Sequence, residues 1–132
     1  MTNEEILQAQ KLVASMREDL SLIAGTTDDA DKLAALIMEK FQSLYDRFSQ
    51  LGRWGRATFG SDSDFDSVNY GLATFLALAQ MVQRSPDGVD PDTNESHKAA
   101  LVRRVGVRAP LVDATLDKTA QALKTAAGSK AR

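Results

Sequence analysis

Apolar residues in the first fifty positions recur at alternating spacings of three and four, which is typical of one face of an α-helix. The first stripe lies between Thr2 and Gly25 and comprises Ile6, Ala9, Val13, Met16, Leu20 and Ile23. The second ends before Gly52 and comprises Ala34, Ile37, Phe41, Leu44, Phe48 and Leu51. Because only Gly25, Thr26 and Thr27 separate the two helices, they are predicted to form an antiparallel hairpin.

A third helix is predicted from about Ser67 to Arg84, and apolar residues lie on nearly all of its faces. These residues are Val68, Leu72, Phe75, Leu76, Leu78, Ala79, Met81 and Val82. A helix of this kind is expected at the centre of a bundle, where none of its faces meets water. The stretch that follows, residues 85–95, is rich in proline and acidic side chains and is predicted to be a solvated linker.

The last third of the chain is predicted to contain two helices. A short one runs from about Asn94 to Val105, a turn follows at Gly106, and the final helix begins at Pro110 and ends near Ala127. Proline suits the first position of a helix, because the N–H group that it lacks has no partner there. The sequence therefore predicts two helices that meet at a corner formed by the turn at Gly106.

The corner at Gly106 resembles that of a helix-turn-helix protein, and the matching residues are Val102, Gly106, Val107 and Val112. The resemblance implies that the final helix enters the major groove of DNA. The basic residues available for phosphate contacts are then Arg103, Arg104, Arg108 and Lys118. Asp113 and Asp117 oppose this interpretation, because on the final helix they would face the DNA polyanion.

These elements predict an all-α fold, a single-domain bundle of about five helices in which the N-terminal hairpin packs on a buried central helix. The length of 132 residues is in the usual range for one domain. We expect residues 1–84 to form a three-helix core, residues 85–95 to form an acidic Pro/Gly linker, and residues 96–128 to form a basic helix pair docked on the core as part of one domain.

The charge and composition of the chain limit the classes of binding partner that it can have. Residues 96–132 carry 8 basic and 2 acidic side chains, so this part would suit an anionic partner or the acidic surface of another copy. The chain has no cysteine, which excludes disulfides and thiolate metal sites. It begins with acidic residues and has no run of the about 20 apolar residues that a membrane span needs, so a cytoplasmic protein without membrane contact is expected.

The sequence shows no pattern typical of a catalytic site. Asp62, Asp64 and Asp66 have the spacing of the first ligands of a calcium loop, but Ser67 and Ala73 stand where such a loop needs glycine and glutamate. The residues around the single histidine, His97, do not show the spacing of serine, histidine and aspartate that is typical of hydrolases. We therefore expect no enzyme activity, no metal and no cofactor.

Two arginines flank the only tryptophan in the loop after the second helix. Arginine and tryptophan are enriched at binding hot spots, which makes this loop a candidate partner-binding site comprising Arg53, Trp54, Arg56 and Phe59. The alternative is that Trp54 and Phe59 fold back and close the end of the bundle. The sequence thus predicts a non-catalytic helical module for protein–protein interaction, a small subunit of a larger assembly or a self-associating protein. The alternative is a nucleic-acid-binding regulator that uses the C-terminal helix pair.

Overall fold

The computed structural model describes residues 1–54 and 61–130. These residues form four α-helices: α1 (Asn3–Ala24), α2 (Ala30–Gly52), α3 (Asp62–Arg84) and α4 (His97–Lys130). The predicted all-α class is confirmed, with four helices in the described ranges instead of about five. None of these helices has the combination of length and apolar composition required to cross a lipid bilayer.

The four helices are arranged as an up-and-down bundle. Each helix packs on the next along the chain, and α1 also packs on α4, which closes the bundle. Phe48 near the end of α2 contacts Phe65 near the start of α3, with ring centroids 4.8 Å apart, as expected for consecutive antiparallel helices. A short connection likewise makes α1 antiparallel to α2.

The predicted stripes of the N-terminal hairpin form its core. All six stripe residues of α1 are buried, and in α2 all are buried except Phe41, which is half-buried. Thr2 caps α1 through a reciprocal capping box with Glu5. The cap of α2 is Asp29, whose carboxylate accepts hydrogen bonds from the amides of Asp31 and Lys32, both at 3.1 Å.

The prediction that the third helix is buried on all faces is wrong. α3 occupies one corner of the bundle, and its inner side buries Val68, Gly71, Leu72, Phe75, Leu78, Ala79 and Val82. Its outer side leaves Tyr70 52% and Met81 39% exposed. The physical reason is that four packed helices leave no central position, so each of them keeps one side in solvent.

The prediction of a C-terminal helix-turn-helix-like pair is also wrong, because α4 is one helix of 34 residues that contains both Gly106 and Pro110. Pro110 cannot donate to the carbonyl of Gly106, four residues earlier, so one helical hydrogen bond is lost. The apolar stripe nevertheless continues through both residues and is buried throughout, at Leu101, Val105, Ala109, Val112, Leu116 and Leu123. Packing of this stripe against the bundle offsets the local cost.

Candidate functional site

A groove lies on the outer surface between α3 and α4. Its α3 side consists of Tyr70, Thr74, Ala77 and Met81, which follow one another at helical spacing on one face. Its α4 side consists of Ala100, Arg103, Arg104, Val107 and Arg108. Two cavities of about 320 and 290 Å³ form this α3–α4 groove, and they share Arg103 and Arg104. From Tyr70 to Met81 the groove is about 16 Å long, at the helical rise of about 1.5 Å per residue.

Large apolar side chains are exposed along the α3–α4 groove. Besides Tyr70 and Met81 on α3, Val107 on α4 is 61% exposed, and Leu111, one turn beyond the groove on α4, is 52% exposed. Single exposed apolar residues are common on protein surfaces, whereas several on adjoining helix faces mark an interaction surface. This combination makes the groove the strongest candidate site in the described part of the chain.

Two arginines make the α4 side of the groove, here called its positive bank, positively charged. Arg104 and Arg108 lie one turn apart on α4, which places them on the same face. The guanidinium carbon of Arg108 is 4.6 Å from the centre of the Tyr70 ring, a distance at which the cation is attracted to the ring face. Tyr70 and Arg108 therefore hold each other in place across the groove.

Arg103 differs from these two because a carboxylate already holds it. Its Nε and Nη2 atoms donate to the two carboxylate oxygens of Glu95, both at 2.8 Å. These hydrogen bonds with Arg103 lower the pKa of Glu95 below the usual value of a glutamate. The pair anchors the loop that precedes α4, and Glu95 partly compensates the charge of Arg103.

That loop, residues 85–96, closes the Met81 end of the groove. The amide of Asp90 donates to the carbonyl of Glu95 at 2.8 Å, and the amide of His97 donates to the carbonyl of Gly88 at 2.9 Å. The Asp90 carboxylate accepts from the amides of Asp92 at 2.8 Å and Thr93 at 3.3 Å. These bonds make the loop a fixed wall of the groove.

The imidazole of His97 packs against this loop. Its Nδ1 atom is buried and has no hydrogen-bond partner among the described residues. A Cβ atom at Gly88 would lie 2.5 Å from this nitrogen, so only glycine leaves room for the ring. His97 thus serves the packing between the loop and the start of α4.

The predicted partner-binding loop is only partly within the described residues. Arg53 is exposed, while Trp54 is half-buried and packs against the core. Arg56 and Phe59 lie outside the described residues. The placement of Trp54 agrees with the alternative that it closes the end of the bundle, and a partner-binding role for this loop stays a prediction.

The four basic residues predicted for nucleic-acid contact are not brought together. Arg103, Arg104 and Arg108 border the groove, whereas Lys118 is ten residues beyond Arg108, roughly 15 Å along the helix. The Nζ atom of Lys118 is 3.7 Å from a carboxylate oxygen of Asp64. A nucleic-acid role for these residues stays a prediction.

Asp113 and Asp117, which were expected to face DNA, bind Arg17 of α1. The Nε of Arg17 donates to Asp113 at 2.8 Å, and its Nη1 donates to Asp117 at 2.9 Å. The hydrogen bond with Asp113 raises the pKa of Arg17. These carboxylates therefore tie α4 to α1.

The three alternate aspartates do not converge. Asp62, Asp64 and Asp66 all lie within α3, where residues two apart point in widely different directions, and Ser61 caps the helix. Within residues 1–54 and 61–130, no three metal-ligating side chains of histidine, aspartate or glutamate come together. The acidic cluster seen in the sequence is the first two turns of a helix.

The pKa of Glu95 is expected to rise toward the usual glutamate value in the Arg103→Gln variant, as measured by NMR titration of its carboxyl carbon. A lowered pKa in the folded state contributes stability above the pKa of the unfolded chain, and this contribution is lost as pH falls through the folded-state pKa. The stability difference between wild type and Arg103→Gln should therefore disappear in acid. Lys11→Gln, on α1, should leave the titration of Glu95 unchanged. An unchanged midpoint in Arg103→Gln would show that the pair is not populated.

Sequence reasoning missed Tyr70 and treated Met81 as a core residue. The available signal is the helical spacing of Tyr70, Thr74, Ala77 and Met81, a second stripe on the side of α3 opposite its buried one. The chain matches no protein-family model, no curated protein and no solved structure. The function is therefore inferred from the geometry of the α3–α4 groove.

Proposed function

We propose that this protein is a non-catalytic helical interaction module, a small subunit or adaptor, and that it binds another protein through the α3–α4 groove. The observation that carries the proposal is the exposure of Tyr70, Met81 and Val107 beside Arg104 and Arg108. Tyrosine and arginine are among the residues most enriched at the energetic centres of protein interfaces. Tyr70 and Arg108 already stack on each other, which lowers the side-chain entropy that these two residues would lose on binding.

The composition of the groove favours a protein partner over nucleic acid. Phosphate binding depends on cations that are free to release counterions, but Arg103 is paired with Glu95. The exposed Met81 and Val107 would gain nothing from phosphates, whereas a protein partner would bury them. An interface of this kind would combine an apolar centre with two arginines at its edge.

A photo-crosslinking experiment tests this proposal. A benzoyl-phenylalanine is placed at Ala77 in the groove or, as a matched control, at Ala35 on the exposed side of α2, in cells that naturally express the chain. We expect a discrete protein adduct from Ala77 and none from Ala35. The adduct is identified by mass spectrometry, and binding of the purified partner is then measured. Arg104→Glu should raise its Kd at least tenfold. Absence of an adduct at Ala77, or equal adducts at both positions, would contradict the proposal.

The nucleic-acid alternative is separated by its salt dependence. Fluorescence anisotropy is measured with a labelled random duplex and a labelled single strand from low to physiological salt. We expect no binding. Affinity that falls steeply with salt and is lost when Arg103, Arg104 and Arg108 become alanine would replace the protein-partner proposal with the nucleic-acid-binding regulator.

A further inference from the structure

We infer that the occupant of the α3–α4 groove is an amphipathic α-helix of a partner protein that carries acidic residues on one flank. This inference rests on the proposed function and names the partner's chemistry. Three features of the groove carry it: its shape, its apolar ends and its one-sided charge.

The shape of the groove matches a helix. It lies between two antiparallel helices, and Thr74, Ala77 and Ala100 are the small residues that line it, so the backbone of a third helix can approach closely. Its length of about 16 Å corresponds to three helical turns, or about 11 residues. Helix-in-groove recognition of this kind uses apolar anchors at i, i+3 or i+4, and i+7 of the bound helix.

Apolar side chains are available at both ends of the groove. Tyr70 stands at one end and Met81 at the other, and Val107 contributes from α4. Methionine adapts its shape to different apolar partners, and tyrosine offers a large rigid surface. An incoming helix with one apolar stripe can therefore cover all three side chains at once.

The charge lies on one bank of the groove. Arg104 and Arg108 are one turn apart on α4, which matches carboxylates at positions i and i+4 on one flank of the incoming helix. Glu95 at the loop end binds Arg103 and is also attracted to Arg104, whereas Arg108 lies one turn farther from this loop. Guanidinium groups also bind carboxylates through two parallel hydrogen bonds, which adds orientation to attraction.

The loop of residues 85–96 limits where the helix can lie. Asp90, Thr93, Glu95 and His97 stand at the Met81 end and are held by the bonds within the loop. The incoming helix must therefore end near Met81 and can extend past Tyr70 only at the opposite end.

Three synthetic peptides of 15 residues test the inference on the full chain. The first has leucine at i, i+4, i+7 and i+11 and glutamate on one flank. The second replaces each glutamate by lysine, and the third has the composition of the first with the stripe scrambled. Fluorescence anisotropy is expected to give the glutamate peptide a Kd at least tenfold lower than either control. Circular dichroism checks that the three peptides have comparable helicity.

Charge reversal gives the decisive comparison. In the Arg104→Glu, Arg108→Glu double variant, the preference should invert toward the lysine peptide, because this side of the groove then carries two negative charges. Circular dichroism checks that the variant keeps its helical content although Arg108 no longer stacks on Tyr70. Lys11→Glu, on α1 and away from the groove, should keep the original preference. An unchanged preference in the double variant would place binding elsewhere and overturn the inference.

Failure of this inference is distinguishable from failure of the proposed function. Equal binding of the glutamate and lysine peptides, or no binding of any peptide, would overturn the acidic helix as occupant, while an adduct at Ala77 would still support a protein interface in the groove. Sedimentation velocity tests whether a second copy of this chain binds in the groove instead. A dimer that dissociates in the Arg104→Glu variant would identify that copy as the partner and overturn the inference.

Discussion

Replacing Arg47 by methionine is expected to lower the free energy of unfolding by about 2 kcal/mol. Arg47 of α2 donates from Nε to the carbonyl of Ser43 at 3.0 Å and from Nη1 to the hydroxyl of Ser15 on α1 at 2.8 Å. Its Nη2 atom forms an ion pair with Asp19, in which the two side chains are only 15% and 17% exposed. Methionine fills the space of the arginine stem but leaves the carboxylate of Asp19 poorly compensated.

The magnitude follows from how far this pair is buried. Removing one partner of a fully buried pair costs about 3–5 kcal/mol, because the other charge stays buried alone. Here the cost is lower, since both side chains keep some solvent contact and Lys40 is 4.0 Å from Asp19. Urea unfolding followed by circular dichroism measures the effect.

A double-mutant cycle identifies the source of the loss. Arg47→Met combined with Asp19→Asn should lose less stability than the sum of the two single variants, because no unpaired charge is then left. Arg84→Met, at an exposed position in the last turn of α3, should change stability by no more than about 0.5 kcal/mol. An additive cycle would show that the ion pair does not stabilise the hairpin.

The second large effect is expected at Gly71, where Gly71→Ala should destabilise the protein by about 1–2 kcal/mol. A Cβ atom at Gly71 would lie 2.5 Å from Cγ2 of Val112 on α4, so the two helices must move apart. Valine in a helix has one strongly preferred rotamer, so turning its methyl group away also costs free energy. The gain of about 1 kcal/mol in helix propensity from glycine to alanine offsets only part of this cost.

The same substitution at Gly106 is the matched control and should act in the opposite direction. Apart from its chain neighbours and the backbone of α4 itself, no atom of the described residues lies within 4 Å of a Cβ at Gly106, which is an exposed residue inside α4. Gly106→Ala should therefore stabilise the protein by about 0.5–1 kcal/mol. Thermal unfolding of both variants measures the difference. A gain from Gly71→Ala would show that α3 and α4 are not in close contact there.

A rescue experiment separates packing from propensity. Val112→Ala removes the methyl group that a Cβ at Gly71 would meet, so the double variant should be more stable than the two separate losses predict. Because Gly71 holds α3 close to α4, Gly71→Ala is also expected to alter the α3–α4 groove. The peptide assay should then show weaker binding even though no groove residue has changed.

The heptad stripes of α1 and α2 determined the N-terminal hairpin from the sequence alone. Both stripes are long, regular and joined by a short turn, and every local signal agrees, including the capping box at Thr2. Under those conditions the side that is apolar is also the side that is buried, so the contacts of Val13, Leu20 and Phe48 with the core need no further information.

The same reasoning failed for α4 because local preferences and packing disagree there. Gly106 and Pro110 both favour an interruption, and only the burial of Val105, Ala109 and Val112 against the other helices keeps α4 continuous. A continuous stripe from Leu101 to Leu123 was the sequence signal for one helix. This stripe outweighs the helix-breaking preferences of Gly106 and Pro110 only because it packs against the other helices, and those contacts cannot be read from the local sequence.

The sequence by itself determined the helical class, the hairpin and the residues that carry charge. Tertiary structure alone decided which charged side chains form ion pairs. Glu95 pairs with Arg103, and both Asp113 and Asp117 pair with Arg17. It also decided that α3 lies at a corner, so that its outer residues stand beside the arginines of α4. The physical reason is that a surface groove is formed by residues from two helices, and their relative placement follows from packing of the whole bundle.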